Sequence, residues 1–162
     1  ALAIAEGSVV ADIGAGGGWF TIRLGRRVGS NGTVYAEDIQ RQMLEATSRR
    51  AAREGLTNVR TVLGTSEDPR LPKGALDAVL IVDTYHELEN PVAMLRNIAA
   101  SLKAQGRVGV VDFKRDGLGP GPALEERVDP ELVIRDAAEA GLALLRRETF
   151  LTYQFMLVFG RR

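Results

Sequence analysis

Apolar positions in this chain fall into short unbroken runs, separated by longer stretches where they recur every three or four residues. The first run, Val9-Val10-Ala11-Asp12-Ile13, is broken only by Asp12, and short β-branched runs of this kind suit a strand buried on both faces. Phe20, Leu24 and Val28 follow at i, i+4 and i+8, one stripe of a helix. The turn formers Gly29-Ser30-Asn31-Gly32 lead into a second strand over 33–36, which Glu37 and Asp38 close. Residues 40–54 hold good helix formers and end at Gly55, with a thin stripe of Met43, Leu44 and Ala51, so a peripheral helix is expected. Residues 59–63 predict a third strand, and 64–74, with Pro69 and Pro72, a loop.

Residues 76–82 are apolar apart from Asp77, as a central parallel strand requires. Asn90-Pro91 reads as a cap followed by proline in the first helical position. Val92, Leu95, Ile98, Ala99 and Leu102 give that helix one apolar face, which Gln105-Gly106 is expected to end. A further buried strand over 108–113 ends near Asp112, and the glycine- and proline-rich stretch 117–122 is a loop. Asp129-Pro130-Glu131 repeats the helix-start signature ahead of Val133, Ile134, Ala137 and Ala138, and Gly141 stops the helix. Residues 142–151 and 154–159 predict two strands joined tightly enough to be antiparallel. Residues 1–6 are expected to be the end of a helix beside the first strand, with Gly7-Ser8 as the turn. Strands alternating with helices predict an α/β fold: a doubly wound, mostly parallel seven-stranded sheet with helices on both faces and a C-terminal antiparallel hairpin. No repeat, linker or low-complexity tract divides it, so one domain over 1–162 is expected.

Glycines stand at 14, 16, 17 and 18, between the first strand and the first helix. Glycine there supplies positive φ and lets a ligand approach the backbone, and the helix N-terminus that follows is electropositive. A dinucleotide fingerprint, G-x-G-x-x-G, would place its third glycine at Trp19. The pattern present, Asp12-x-Gly14-x-Gly16-x-Gly18, resembles motif I of the class I S-adenosylmethionine-dependent methyltransferases. The strand count and the closing hairpin also look like that family's sheet, so the resemblance covers nearly the whole chain.

The resemblance implies S-adenosyl-L-methionine as cofactor, with contacts from Asp12, Gly14, Ala15, Gly16, Gly18, Asp38, Ile39, Thr65, Ser66 and Asp83. In the family the acid at the position of Asp12 helps hold the glycine loop and the methionine amino group; the plain alternative is a buried carboxylate capping backbone amides. A carboxylate at the end of the second strand can accept both hydroxyls of a ribose. In the family that acid precedes an apolar residue, which selects Asp38 before Ile39 and leaves Glu37 second. Where the family commonly has an acid or amide reading the adenine amino group, this chain has Thr65, a departure; the Ser66 backbone and the side chains of Glu67 or Asp68 are the alternatives. The segment Asp83-Thr84-Tyr85-His86-Glu87 lies, in the family, between the sulfonium and the methyl acceptor. His86, the chain's single histidine, and Tyr85 are therefore the catalytic candidates: histidine acts as a base near neutral pH, while the bland reading makes both residues structural.

Composition narrows the acceptor. There is no cysteine, which removes disulfides, zinc-thiolate sites and the cysteine chemistry of pyrimidine carbon-5 and arsenite methylation; no metal is expected. No Asp/Asn-Pro-Pro-aromatic motif of amino-base methyltransferases follows residue 82. Formal net charge is zero, which offers no field for nucleic acid or an anionic membrane. No apolar run reaches the ~20 residues of a bilayer span. A small-molecule acceptor, a cytoplasmic location and no nucleic-acid or membrane partner are expected. The alternatives are a protein side-chain methyltransferase, a non-catalytic S-adenosylmethionine-binding module, and a nicotinamide-dependent oxidoreductase, against which Trp19 counts. So few residues precede the first strand that the N-terminal cap region, which covers the acceptor in small-molecule members, is expected to be short or missing. The arginines scatter through the helices and read as solvated surface.

Overall fold

The computed structural model describes residues 2–162. Seven strands form one sheet: β1 (Val9–Ile13), β2 (Thr33–Asp38), β3 (Val59–Leu63), β4 (Leu76–Val82), β5 (Leu102–Phe113), β6 (Leu142–Glu148) and β7 (Gln154–Arg161). Four α-helices accompany them: α1 (Trp19–Val28), α2 (Arg41–Arg53), α3 (Pro91–Ser101) and α4 (Pro130–Glu139). The strand order is β3-β2-β1-β4-β5-β7-β6. Every pairing from β3 to β5 is parallel, and β7 runs antiparallel to both β5 and β6. From β1 the chain winds outward through β2 to β3, then returns to β4 on the other side of β1. The switch point between β1 and β4 opens the crevice where doubly wound sheets take ligands.

The unbroken apolar runs follow from cover on both faces. In β4, Leu76, Val79 and Ile81 pack into one core cluster with Leu95 and Ile98 of α3 and Val133 and Ala137 of α4. Ala78 and Leu80 of the same strand pack into the opposite cluster with Leu24 and Val28 of α1. β7 divides likewise, Phe155, Leu157 and Phe159 to the first face and Met156 and Val158 to the second. Among the described residues no helix is long and apolar enough to cross a membrane.

Five expectations about the elements require correction. Residues 2–5 form no helix, and Ala1 lies outside the described residues. Leu2 instead packs over Gly109, where an added Cβ would stand 2.9 Å from its Cδ1. α3 stops at Ser101, well before Gln105-Gly106, because the chain passes directly into β5 and Leu102 pairs with Leu76. β6 ends at Glu148 and β7 continues to Arg161, so the connection is 149–153 rather than 151–153. In α2, Leu44 and Ala51 are buried but Met43 is exposed, and Thr47 takes the inward place. The two proline-initiated helices are capped differently. Asp129 accepts a hydrogen bond from Glu131 N at 2.9 Å, whereas Asn90 makes no cap and turns to Ser66 Oγ at 3.4 Å.

Candidate functional site

The glycine turn leaves β1 and enters α1 through three left-handed residues, Gly14, Gly16 and Gly18. Two of them need glycine for different reasons. A Cβ on Gly14 would lie 2.5 Å from Thr84 Cγ2, so the turn meets the end of β4. A Cβ on Gly16 would meet nothing within 4 Å, because that residue borders open space. Side chains from β2 and α2 hold the turn from both sides. Gly14 N donates to Glu37 Oε1 at 3.2 Å and Gly16 N to Asp38 Oδ2 at 3.0 Å. Thr47 Oγ1 donates to Gly16 O at 2.9 Å and Arg50 Nε to Gly17 O at 2.8 Å. The Arg50 guanidinium also lies 3.8 Å above the Trp19 ring, a cation–π contact. Ala15 N donates to the Glu37 carbonyl at 2.8 Å, and the Ala15 carbonyl accepts from Gly18 N at 3.1 Å. Asp12 is buried beneath the turn and accepts from Thr21 Oγ1 at 2.8 Å, tying β1 to α1. Burial pushes its carboxyl up to about 7, with the Thr21 hydrogen bond opposing and the nearby Asp38 charge adding.

At the end of β2, Asp38 keeps both carboxylate oxygens on backbone amides, Gly16 N and Gln40 N, each at 3.0 Å. Glu37 is 2% exposed. Its Oε1 serves Gly14 while its Oε2 is buried with no hydrogen-bond partner. Burial, reinforced by the charges of Asp38, Asp12 and Asp68 and opposed by the Gly14 amide, pushes its carboxyl up to about 7. A Cβ at Gly64 would crowd the Glu37 carboxyl and stand 3.1 Å from Asp68 O, so the glycine makes room for Glu37 in its present place.

Above these groups lies a cavity of about 290 Å³ at the β1–β4 switch point. Of the residues expected at a cofactor, Gly14, Gly16, Asp38, Ile39, Thr65 and Ser66 line it, together with Glu37, Met43, Thr84, Glu87, Leu88 and Glu89. Four of its lining residues are acids, Glu37, Asp38, Glu87 and Glu89, and among the described residues no lysine, arginine or histidine joins them. Asp12, Ala15, Gly18 and Asp83 support the site from outside the lining. Thr65 Oγ1 accepts from Glu67 N at 3.3 Å and Asp68 N at 3.0 Å, which folds the loop after β3. Asn97 of α3 holds the same loop by donating to Glu67 O at 2.9 Å. The side chains of Glu67 and Asp68 are outside the lining, and Asp68 Oδ1 accepts from Arg70 N.

Beyond β4 the chain makes a single tight helical turn, 85–87. Asp83 enters it with φ of +54° and accepts a hydrogen bond from Gln154 of β7. Burial, and then the neighbouring Asp112 charge, raise its carboxyl above the usual range. Tyr85 turns away from the cavity. Its ring is in the core and its hydroxyl donates to Asp136 of α4 at 2.6 Å, a contact that raises the phenol together with burial. It is buried and outside the cavity lining. His86 has only 11% of its side chain exposed. Nδ1 lies 3.0 Å from each carboxylate oxygen of the fully buried Asp112, whose Oδ2 also accepts from His86 N at 3.0 Å. Nε2 lies 3.6 Å from Oε1 of Glu87, and His86 itself is outside the cavity lining.

Sequence reasoning missed Thr47, Arg50 and Asp112. The first two sit on a helix face like ordinary polar residues, and the third reads as a strand end. Arg50, and Arg127 with its guanidinium buried in the loop after β5, are exceptions to the solvated-surface reading of the arginines.

An acidic cavity over a glycine turn, at the switch point of a seven-stranded sheet with a reversed seventh strand, is the arrangement of a doubly wound ligand-binding domain. The methyltransferase domain family matches residues 10–106. The chain therefore belongs to that family, the class I S-adenosylmethionine-dependent methyltransferases. It is similar to a S-adenosylmethionine-dependent methyltransferase structure from Aquifex aeolicus, with a TM-score of 0.92 and 27% identity over 98% of this chain and 84% of that one. Nocamycin O-methyltransferase of Saccharothrix syringae is 34% identical over 71% of this chain and 39% of its own length. A ubiquinone/menaquinone biosynthesis C-methyltransferase of Marinomonas sp. is 29% identical over 69% of this chain and 45% of its own length. The chain thus spans less than half the length of these two curated relatives.

Proposed function

We propose that this domain binds S-adenosyl-L-methionine and transfers its methyl group to a small-molecule acceptor. The observation that carries the reading is the cavity lining: four carboxylates and no cationic side chain among the described residues. Such a lining attracts a ligand bearing a sulfonium and an ammonium, and it opposes the pyrophosphate of a nicotinamide dinucleotide. The residues present fit the cofactor. Gly16 leaves open space where the backbone is approached, and the buried Glu37 Oε2 lacks a donor, which a ligand hydroxyl or amine supplies. Asp38 and Glu37 are assigned to the ribose hydroxyls, Thr65 and Ser66 to the adenine side, and Ile39 to the adenine face. Gly14, Ala15, Gly16 and Gly18 form the cradle, which Asp12 braces from beneath. Asp83, with Thr84, bounds the methionine end.

The bound cofactor supplies a methyl group activated by positive sulfur, so the protein's work is orientation and exclusion of water. A small acceptor is supported by the two curated relatives, whose names place them on nocamycin and on quinone biosynthesis, and by a net charge of zero. Isothermal calorimetry tests the reading: S-adenosylmethionine and S-adenosylhomocysteine are expected to bind and NAD is not. Binding of NAD alone overturns it. Transfer of radiolabelled methyl to metabolite pools, against protein pools, then separates an enzyme from a binding module and a small acceptor from a protein one.

A further inference from the structure

The four acids around the cavity are not equally occupied. Glu37 Oε1 accepts from Gly14 N, both oxygens of Asp38 accept backbone amides, and Glu87 Oε1 lies 3.6 Å from His86 Nε2. Glu89 lines the same cavity from an exposed position, and its carboxyl meets no hydrogen-bond or ion-pair partner among the described residues. The backbone beside it is tied down by the next residue. Asn90 begins α3 without capping it and turns its amide to Ser66 Oγ at 3.4 Å. Asn97, two turns further along α3, donates to Glu67 O at 2.9 Å. The start of α3 and the loop after β3 are thereby joined on one side of the cavity, where Glu89 and Ser66 both line it.

That side holds the adenine in the reading above, and an adenine edge carries an amino group whose N–H bonds need acceptors. Thr65 has none to offer. Its hydroxyl oxygen accepts from Glu67 N and Asp68 N, and its proton is aimed at Asp68 O, 3.4 Å away. Glu67 and Asp68 stand outside the lining. Ser66 Oγ already takes the Asn90 amide. Glu89 is the one uncommitted acid of the lining, and a carboxylate holds an N–H more strongly than a neutral oxygen does.

We propose that Glu89 selects the base of the cofactor, its carboxylate accepting a hydrogen bond from the exocyclic amino group of adenine; the proposal rests on the S-adenosylmethionine reading above. Hypoxanthine presents a carbonyl oxygen in place of that amino group. Two acceptors then face each other, one of them charged, and the 6-oxo ligand is rejected. Selectivity for the base thus comes from the residue ahead of α3, while the side chains of the loop after β3 are spent on folding the loop. Glu89 acts on binding and takes no part in methyl transfer.

Isothermal calorimetry with S-adenosylhomocysteine and S-inosylhomocysteine tests this. Neither ligand carries the sulfonium charge, so the ratio of their affinities reads the base and not the general attraction of an acidic cavity for a cation. The wild-type protein is expected to hold the adenosyl ligand about 10–100-fold more tightly. Glu89→Ala is expected to weaken the adenosyl ligand about tenfold or more and to leave the inosyl ligand at its wild-type affinity or better, so that the ratio collapses. Glu89→Gln, whose amide can turn its NH₂ to the carbonyl oxygen, is expected to favour the inosyl ligand more than Glu89→Ala does. Glu89 is exposed, so both variants are expected to keep the wild-type melting temperature. Equal affinity of the wild-type protein for the two ligands, a ratio unchanged in Glu89→Ala, or an equal loss for both ligands overturns the proposal. Failure of the wild-type protein to bind S-adenosylhomocysteine overturns the broader reading instead.

Discussion

At the scale of single residues, two glycines of one turn make different predictions. Gly14 and Gly16 both have positive φ, 68° and 57°, so an added side chain strains either by about 1–2 kcal/mol. At Gly14 the new Cβ also strikes Thr84, and Gly14→Ala is expected to lower stability in urea unfolding by more than that backbone strain alone. At Gly16 the space is open and faces the cavity, so Gly16→Ala is expected to cost only the strain while sharply weakening S-adenosylmethionine in calorimetry. Equal stability losses would contradict this assignment of the turn. The two acids of β2 differ likewise. Asp38 holds the amides of Gly16 and Gln40, so Asp38→Ala removes a ribose acceptor and loosens the turn together. It is expected to weaken cofactor binding by about 1.5–3 kcal/mol, one to two decades in affinity, and by more than Glu37→Ala does. Calorimetric titration of both variants checks the ranking, and the reverse order moves the main contact to Glu37. The glycines and Asp38 were legible because their spacing along the chain carries the chemistry. Thr47 and Arg50 were not, since each meets its carbonyl partner across more than thirty residues, and no local pattern marks such a contact.

At the scale of elements, the long apolar runs and the proline-initiated helices were readable, because burial on both faces and capping chemistry act locally. β1, β3 and β4 fall where the apolar runs stand. The junction of α3 and β5 was not readable. Leu102 continues the helix's apolar periodicity but pairs with Leu76 across the sheet, so a tertiary contact overrides a local signal. The loop after β5 hides its organiser in the same way. Arg127 is 6% exposed and donates to the carbonyls of Pro122, Lys114, Leu118 and Pro120, while its guanidinium lies 5.5 Å from the Phe113 ring. One cation thus gathers a segment that composition marks only as irregular. Charged hydrogen bonds of this kind contribute about 1.5–3 kcal/mol each and leave unpaired groups when removed. Arg127→Met is expected to destabilise the protein by more than about 2 kcal/mol in urea unfolding, on that same scale, and to expose the loop to limited proteolysis. A protease-resistant variant of wild-type stability would show that the loop is held by other means. Tyr85 offers the contrasting case. Tyr85→Phe breaks the bond to Asp136 between the turn after β4 and α4. It is expected to lower the melting temperature and to leave turnover per folded molecule unchanged.

At the scale of the whole molecule, a chain of zero net charge has gathered acids at one end of its sheet, and the folded state bears the electrostatic consequence. Asp12 and Glu37 are pushed up to about 7 from ordinary values of 3.8 and 4.5, burial being the main cause for each. The groups closing on Glu37 are themselves acids, Asp12 from β1, Asp38 from β2 and Asp68 from the loop after β3. The folded protein therefore binds protons at these sites more tightly than the unfolded chain does. Stability drawn from them is complete below the unfolded values and is lost as pH rises through about 7. The melting temperature of the ligand-free protein is expected to fall between about pH 5 and pH 8, and Asp12→Asn or Glu37→Gln to flatten that slope. A cationic ligand reverses the sign, because it is held best when the carboxylates are ionised. S-adenosylmethionine should bind more tightly at the upper end of the window, and the rise in melting temperature it produces should grow with pH. Differential scanning calorimetry with and without the ligand measures both slopes on one sample. A ligand-free melting temperature that is flat or rising across the window would mean that the two buried carboxyls do not hold their protons. A ligand-induced shift that shrinks with pH would mean that the cavity's charge does not face the ligand.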